Sequence, residues 1–158
     1  MEMRHKERQI TDKQELWQML QKASHLRLAL CDQGKPYIVA MNYGLDQESD
    51  SLYLHCALKG RKMDILAQNN HVCFQVEEVA ELIDGGKRAC KWSMRYKSLV
   101  GFGLARVLTD PDEKQKGLSV IMAHYTEDSV EIDRKVVEST AVLKVQITEM
   151  TGKMSKQR

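Results

Sequence analysis

The sequence predicts a mainly β domain with a few helices, built as an antiparallel sheet or barrel with helices packed at its ends. Three observations carry this. Hydrophobicity alternates with a period of two in about six segments, tight polar turns join most of those segments, and the strict strand–helix–strand order of a parallel sheet is absent. The chain has 158 residues, 42% hydrophobic and 29% charged. That length suits one domain burying roughly 70% of its extended-chain surface.

The first element is a helix. Thr11-Asp12-Lys13-Gln14 reads as a capping box in which Gln14 reaches back to the Thr11 amide. Leu16, Met19, Leu20 and Ala23 then fall at i, i+3, i+4 and i+7, which makes one helical face apolar. From Leu26 to Cys31 the period is two, Asp32-Gln33-Gly34-Lys35 forms a tight turn, and Pro36 to Tyr43 is the second strand of a hairpin. A polar turn from Asp46 to Ser51 leads to a third strand, SLYLHCA. Gly60-Arg61-Lys62 opens a short helix with Met63, Leu66 and Ala67 as its apolar positions, and Asn69-Asn70 ends it. VCFQVEEVAEL resumes the strand pattern until Gly85-Gly86. The next strand, Tyr96 to Leu108, carries Gly101 and Gly103 at alternate positions, a pattern that marks a bend or the close approach of a backbone or ligand. Asp110 as N-cap, Pro111 at the first helical position, and Asp112 and Glu113 in the first turn start a third helix with a core face of Leu118, Ile121, Met122 and Tyr125. A last strand covers Ala141 to Ile147, and the tail TGKMSKQR is expected to fray. With no repeat and no linker, residues 1–158 form a single domain with its core at about 11–148.

Charge and motifs remove several function classes. Lys+Arg 24 against Asp+Glu 22 gives a net charge of +2, and the cations are scattered, so no nucleic-acid partner is expected. No apolar run approaches the ~18 residues of a membrane span. MEMRHKERQI lacks a signal-peptide core, which leaves a cytoplasmic protein as the expectation. Cys31, Cys56, Cys73 and Cys90 form no CxxC and read as buried, reduced thiols, with no metal site expected. HExxH, GxSxG and a Ser-His-Asp order are all missing, so hydrolase chemistry has no support.

Two segments could carry chemistry. In HCALKGRKMDIL a glycine and two cations open a helix, combining free amides, the positive helix end and two charges into an anion site. The plainer reading is a solvated basic helix start; it is not a P-loop, because the glycine-rich run and the Ser/Thr are missing. In ACKWSMRYKSLVGFG, Trp92 and Tyr96 lie four apart among the donors Ser93, Arg95, Lys97 and Ser98. Such a surface fits a planar ring with carbonyls, or the two aromatics are core or interface anchors. His55 and His71 are candidate bases or ordinary histidines.

Taken in order, LRLALCDQGKPYIVAMNYGLD, SLYLHCALKGRKMDILAQNNHVCFQVE and ACKWSMRYKSLVGFGLARVLTDPDEK resemble the flavin-nucleotide-binding proteins of the pyridoxamine 5'-phosphate oxidase-like superfamily, nearest its nitroimidazole-resistance branch. The resemblance spans roughly residues 4 to 148. It implies a split β-barrel homodimer binding flavin mononucleotide (FMN) in a cleft at the subunit interface. By that resemblance, Ile38, Val39, Ala40, Met41 and Asn42 run along the isoalloxazine edge through their backbone. His55, Cys56 and Ala57 line the ring and ribityl region, Arg61 and Lys62 hold the phosphate, and Tyr96, Lys97 and Ser98 approach the cofactor; Trp92 joins the cofactor-binding set from the aromatic surface read above. His71 matches a histidine implicated in activity. The chain departs from the family pattern at Ala40, commonly Pro, and at Cys56, commonly Ser. The C-terminal substrate signature of true pyridoxamine phosphate oxidases is absent, so vitamin B6 oxidation is not expected. The resemblance implies an FMN-dependent oxidoreductase that takes electrons from a nicotinamide or other donor to a small molecule, with nitroaromatics such as 5-nitroimidazoles as candidate substrates. The alternative is a non-catalytic carrier of flavin, haem or deazaflavin; haem would need an axial ligand such as His55, His71 or His124.

Overall fold

Period-two patterning does produce strands here, and the computed structural model describes residues 4–155 with all their side chains except those of Val79 and Ala80. The elements run β1 (Gln9–Ile10), α1 (Lys13–Lys22), β2 (Leu26–Asp32), β3 (Lys35–Met41), β4 (Tyr43–Asp46), β5 (Ser51–Ala57), α2 (Arg61–Gln68), β6 (His71–Ile83), β7 (Ser93–Val107), α3 (Pro111–Tyr125), α4 (Arg134–Ser139) and β8 (Thr140–Met154). Among the described residues β1 and β4 exceed the expected strands, and α4 is a fourth helix that the pattern does not locate. β1 has two residues and α4 six, too few to display a period. β4 is hidden because Pro36 to Tyr43 reads as one run that the fold interrupts at Asn42.

All strands belong to one antiparallel sheet in the order β3-β2-β6-β7-β8-β5-β4, with β1 added to β8. β3 and β4 are its two ends, yet only Asn42 separates them in sequence. The sheet must therefore curl until its ends come side by side unpaired, which makes it a split barrel. Gln33 and Gly34 both take positive φ, 49° and 87°, and close the β2–β3 hairpin with the twist such turns require.

The barrel interior holds Leu26, Leu28 and Leu30 of β2, Phe74 and Val76 of β6, and Leu99 and Leu143 of β7 and β8. Leu16, Met19 and Leu20 of α1 and Ile65 and Leu66 of α2 close it. A second cluster, Tyr53, Leu108, Leu118, Ile121, Val137 and Val142, lies under α3 and α4. The Gly101 position explains one sequence signal. A Cβ there would lie 2.1 Å from Phe74 Cζ, so the glycine makes room for a core ring rather than for a ligand. Tyr43 ties the layers together: its hydroxyl is shared between the Leu20 and Ala23 carbonyls, and its amide donates to the Tyr125 hydroxyl at 3.0 Å.

Asp12, not Thr11, caps α1, its carboxylate accepting from the Gln14 amide at 2.9 Å. In α2 Ile65 joins Leu66 in the core, while Ala67 is exposed. In α3 Met122 is half-buried and Tyr125 is 39% exposed. Residues 151–154 of the tail are not frayed, because β8 continues between β7 and β1, pairing Gly152 with Leu99 and with Ile10. Residues 156–158 lie outside the described residues. The cysteines are free but not buried: Cys31 and Cys90 are exposed, Cys56 and Cys73 half-buried. In β2 the leucines take the inward positions, which turns Cys31 outward. No helix is long and apolar enough to cross a membrane among the described residues.

Candidate functional site

α2 starts differently from the other helices described. Asp12, Asp110 and Asp133 cap α1, α3 and α4 with their carboxylates. Gly60 precedes α2 at φ 127°, a region that favours glycine, and offers no side chain to its first amides. The amides of Arg61 and Lys62 therefore have no capping side chain, and Asp64 is the one acidic residue of the first turn, against the two cations Arg61 and Lys62.

Two cations stand at this start in different surroundings. Lys62 is half-buried, its Nζ 3.3 Å from Met41 Sδ, and no carboxylate among the described residues pairs with it. Beside it Cys56 Sγ lies 3.7 Å from Met63 Sδ. Burial pushes the Cys56 thiol above its ordinary value, and the Lys62 charge pulls it part of the way back. Arg61 is exposed; its Nη2 donates to Asp32 Oδ2 at 3.3 Å, and its guanidinium carbon sits 4.8 Å from the Tyr37 ring centroid. Helix start, β3, the end of β5 and the β2–β3 hairpin thus converge on one cationic corner.

The aromatic segment lies elsewhere. Tyr96 and Lys97 line a cavity of about 580 Å³ together with Lys22, Glu78 and Met154. Lys97 donates to Glu15 at 2.8 Å, and this hydrogen bond, against a smaller opposing effect of burial, raises its pKa. Trp92 is 44% exposed at the tip of the β6–β7 hairpin, where its indole N–H donates to the Gly86 carbonyl. Ser98 pairs with Glu77, two residues past the Gln75 partner of Arg27, whereas Arg61 meets Asp32 at the other end of β2. The two groups are separated by about the length of β2, ~20 Å at ~3.3 Å per residue.

The model of the pyridoxamine 5'-phosphate oxidase family matches residues 12–154. The chain belongs to that family of flavin-binding proteins. Within it, a crystal structure of a candidate 5-nitroimidazole antibiotic resistance protein from Bacteroides thetaiotaomicron VPI-5482 is 34% identical, with a TM-score of 0.82 over 92% of this chain and 86% of that one. This likeness puts the chain in the nitroimidazole-resistance branch. The flavocytochrome Anf3 of Azotobacter vinelandii shares the fold at 19% identity (TM-score 0.83, 99% of this chain and 73% of that one). So does an FAD and heme binding protein of Mycobacterium smegmatis at 21% (TM-score 0.82, 95% and 74%). No curated protein matches the sequence.

Along β3, Ile38 is 62% exposed, Ala40 is exposed, Val39 packs against the core and Met41 is buried; Asn42 follows, exposed. Among the described residues β3 pairs only with β2, which leaves its other backbone edge unpaired. Cys56 is the member of its trio that reaches the Lys62 cluster, since His55 and Ala57 project from the opposite face of β5. His71 opens β6 on the outer face, beside a groove of about 290 Å³ shared with Cys31, Cys73 and Phe102. His124 is committed elsewhere, its Nε2 2.9 Å from the Ala23 carbonyl oxygen. Sequence reasoning missed Asp32 and Tyr37 at Arg61. They lie 29 and 24 positions away, with no local pattern linking them.

Proposed function

We propose that the chain binds FMN and acts as an FMN-dependent oxidoreductase, with nitroaromatic compounds such as 5-nitroimidazoles as substrates. The observation that carries the cofactor is the uncapped start of α2, where a half-buried, carboxylate-free Lys62 stands beside Arg61. A dianionic phosphate satisfies the amides, the helix end and both cations at once, so the donor set fits the group. The free edge of β3 suits it too, because the N–H and C=O groups of alternate residues between Ile38 and Met41 point away from β2 and can meet the carbonyl and imide groups of a flavin ring. When bound, the flavin supplies the electron chemistry. The chain's residues do the rest: Arg61 and Lys62 fix the phosphate, β3 orients the ring, and Met41 and Cys56 keep water from the Lys62 side.

A second copy of the chain completes the site in this reading. Within one protomer Tyr96, Lys97 and Ser98 are too far from Arg61 to reach the same flavin. Two features support a two-fold dimer. The outer sheet face carries an apolar row in which Ile38 pairs with Ala29, Ala29 with Cys73 and Cys73 with Phe102. Ile38 is left largely exposed at the end of that row.

Fluorescence titration with FMN tests the phosphate assignment. Each charge-assisted contact contributes about 1.5–3 kcal/mol, so Arg61→Ala/Lys62→Ala should weaken binding at least ~100-fold. Unchanged affinity would refute the reading. The absorption spectrum should show the two flavin bands; a Soret band instead would point to a haem carrier. Oxidation of a reduced nicotinamide that depends on an added nitroaromatic separates an enzyme from a carrier.

A further inference from the structure

We infer that Asp32 and Tyr37 are positioning residues for Arg61, holding its guanidinium ready for a phosphate; this rests on the FMN reading above. Arg61 stands in the first turn of α2 with its side chain 55% exposed, and among the described residues its side chain makes no hydrogen bond or ion pair within its own helix. The β2–β3 hairpin supplies the restriction from outside. Asp32, the last residue of β2, accepts from Nη2 at 3.3 Å, and Tyr37, two residues into β3, presents its ring 4.8 Å from the guanidinium carbon. One contact fixes an edge of the fork and the other fixes its plane. Among the described residues, Nε, Nη1 and the second Nη2 hydrogen have no hydrogen-bond partner and can donate to a ligand.

The division of labour differs between the two cations. Lys62 is half-buried with its Nζ 3.3 Å from Met41 Sδ, so its surroundings already restrict it on the core side. Arg61 would otherwise lose rotamer freedom at the moment of binding, a cost that a preorganised side chain has already met. An exposed Arg–Asp pair and an exposed cation–π contact are each weak, which suits the role: they bias the conformation without withholding the charge from a phosphate dianion. Both residues belong to the hairpin closed by the Gln33-Gly34 turn, so the turn sets where the arginine points.

Calorimetric titration with FMN and with riboflavin, which lacks the phosphate, tests the inference. Asp32→Ala and Tyr37→Leu should each weaken FMN binding about threefold, and about tenfold together, with riboflavin affinity unchanged. Tyr37→Phe keeps the ring and should bind FMN as the wild type does. Equal losses for both ligands would mark a merely structural effect and overturn the inference. No loss would also overturn it, and tighter FMN binding by Asp32→Ala would make the carboxylate a competitor instead. If the wild type itself does not prefer FMN to riboflavin, the phosphate assignment fails first and takes this inference with it. If the wild type prefers FMN and the variants keep that preference undiminished, only the positioning role fails.

Discussion

Gly60, Arg61 and Lys62 show what a single residue contributes. A glycine at φ 127° lets the chain enter α2 without a side chain over the first amides, and two cations follow at once. Gly60→Ala should strain the backbone by roughly 1–2 kcal/mol and weaken FMN binding, measured by urea unfolding and by titration. Gly101→Ala should destabilise by ~1–3 kcal/mol in the same unfolding assay, because the new methyl would meet the Phe74 ring. Raised by burial, the Cys56 thiol should alkylate more slowly at neutral pH than exposed Cys31 or Cys90, as peptide-resolved mass spectrometry would report. The cationic helix start is legible in sequence because its three residues are adjacent. Asp32 and Tyr37 are not, because a hairpin far away in the chain brings them to Arg61.

At the scale of elements, α3 is the one whose start the sequence states most fully. Asp110 accepts from the amides of Asp112 and Glu113 at 3.0 and 2.9 Å, and Asp110→Ala should cost about 1 kcal/mol in thermal or urea unfolding. The same turn is clamped to β7, where Arg106 donates to both carboxylate oxygens of Glu113 at 3.0 and 2.9 Å. The hydrogen bond from Arg106 holds the Glu113 carboxyl below its ordinary value. Its contribution is therefore present above the ordinary carboxylate range and lost as pH falls through the lowered folded value. The Tm difference between wild type and Glu113→Gln should stay constant from pH 7 to 6 and shrink progressively as pH falls below the ordinary carboxylate range. Helix starts and strand patterns were readable where caps and alternation are local. The length of β8 was not, since Thr151 to Met154 are strand only because β1 and β7 flank them.

For the whole molecule, the curl of the sheet decides which candidate residues meet. It gathers Met41, Cys56 and Arg61–Lys62 from three separate elements, and it keeps Tyr96 to Ser98 at the far end of β2. Alternation along a strand gives faces but not curvature, so this separation could not be read from the sequence. If a second copy supplies the missing half, light scattering should give a dimer, and a monomer with full FMN affinity would contradict it. Co-expressed Arg61→Ala/Lys62→Ala and Tyr96→Ala/Ser98→Ala chains should then regain one working site per mixed dimer, measured as FMN bound per dimer. Phosphorus NMR titration of bound FMN reports the phosphate site itself. A free phosphate monoester takes up its proton at about pH 6. Held by Arg61, Lys62 and the start of α2, the bound phosphate should keep its dianionic shift down to about pH 5 and lose that protection in Arg61→Ala/Lys62→Ala. A bound phosphate that protonates near pH 6, as it does in free solution, would contradict the account.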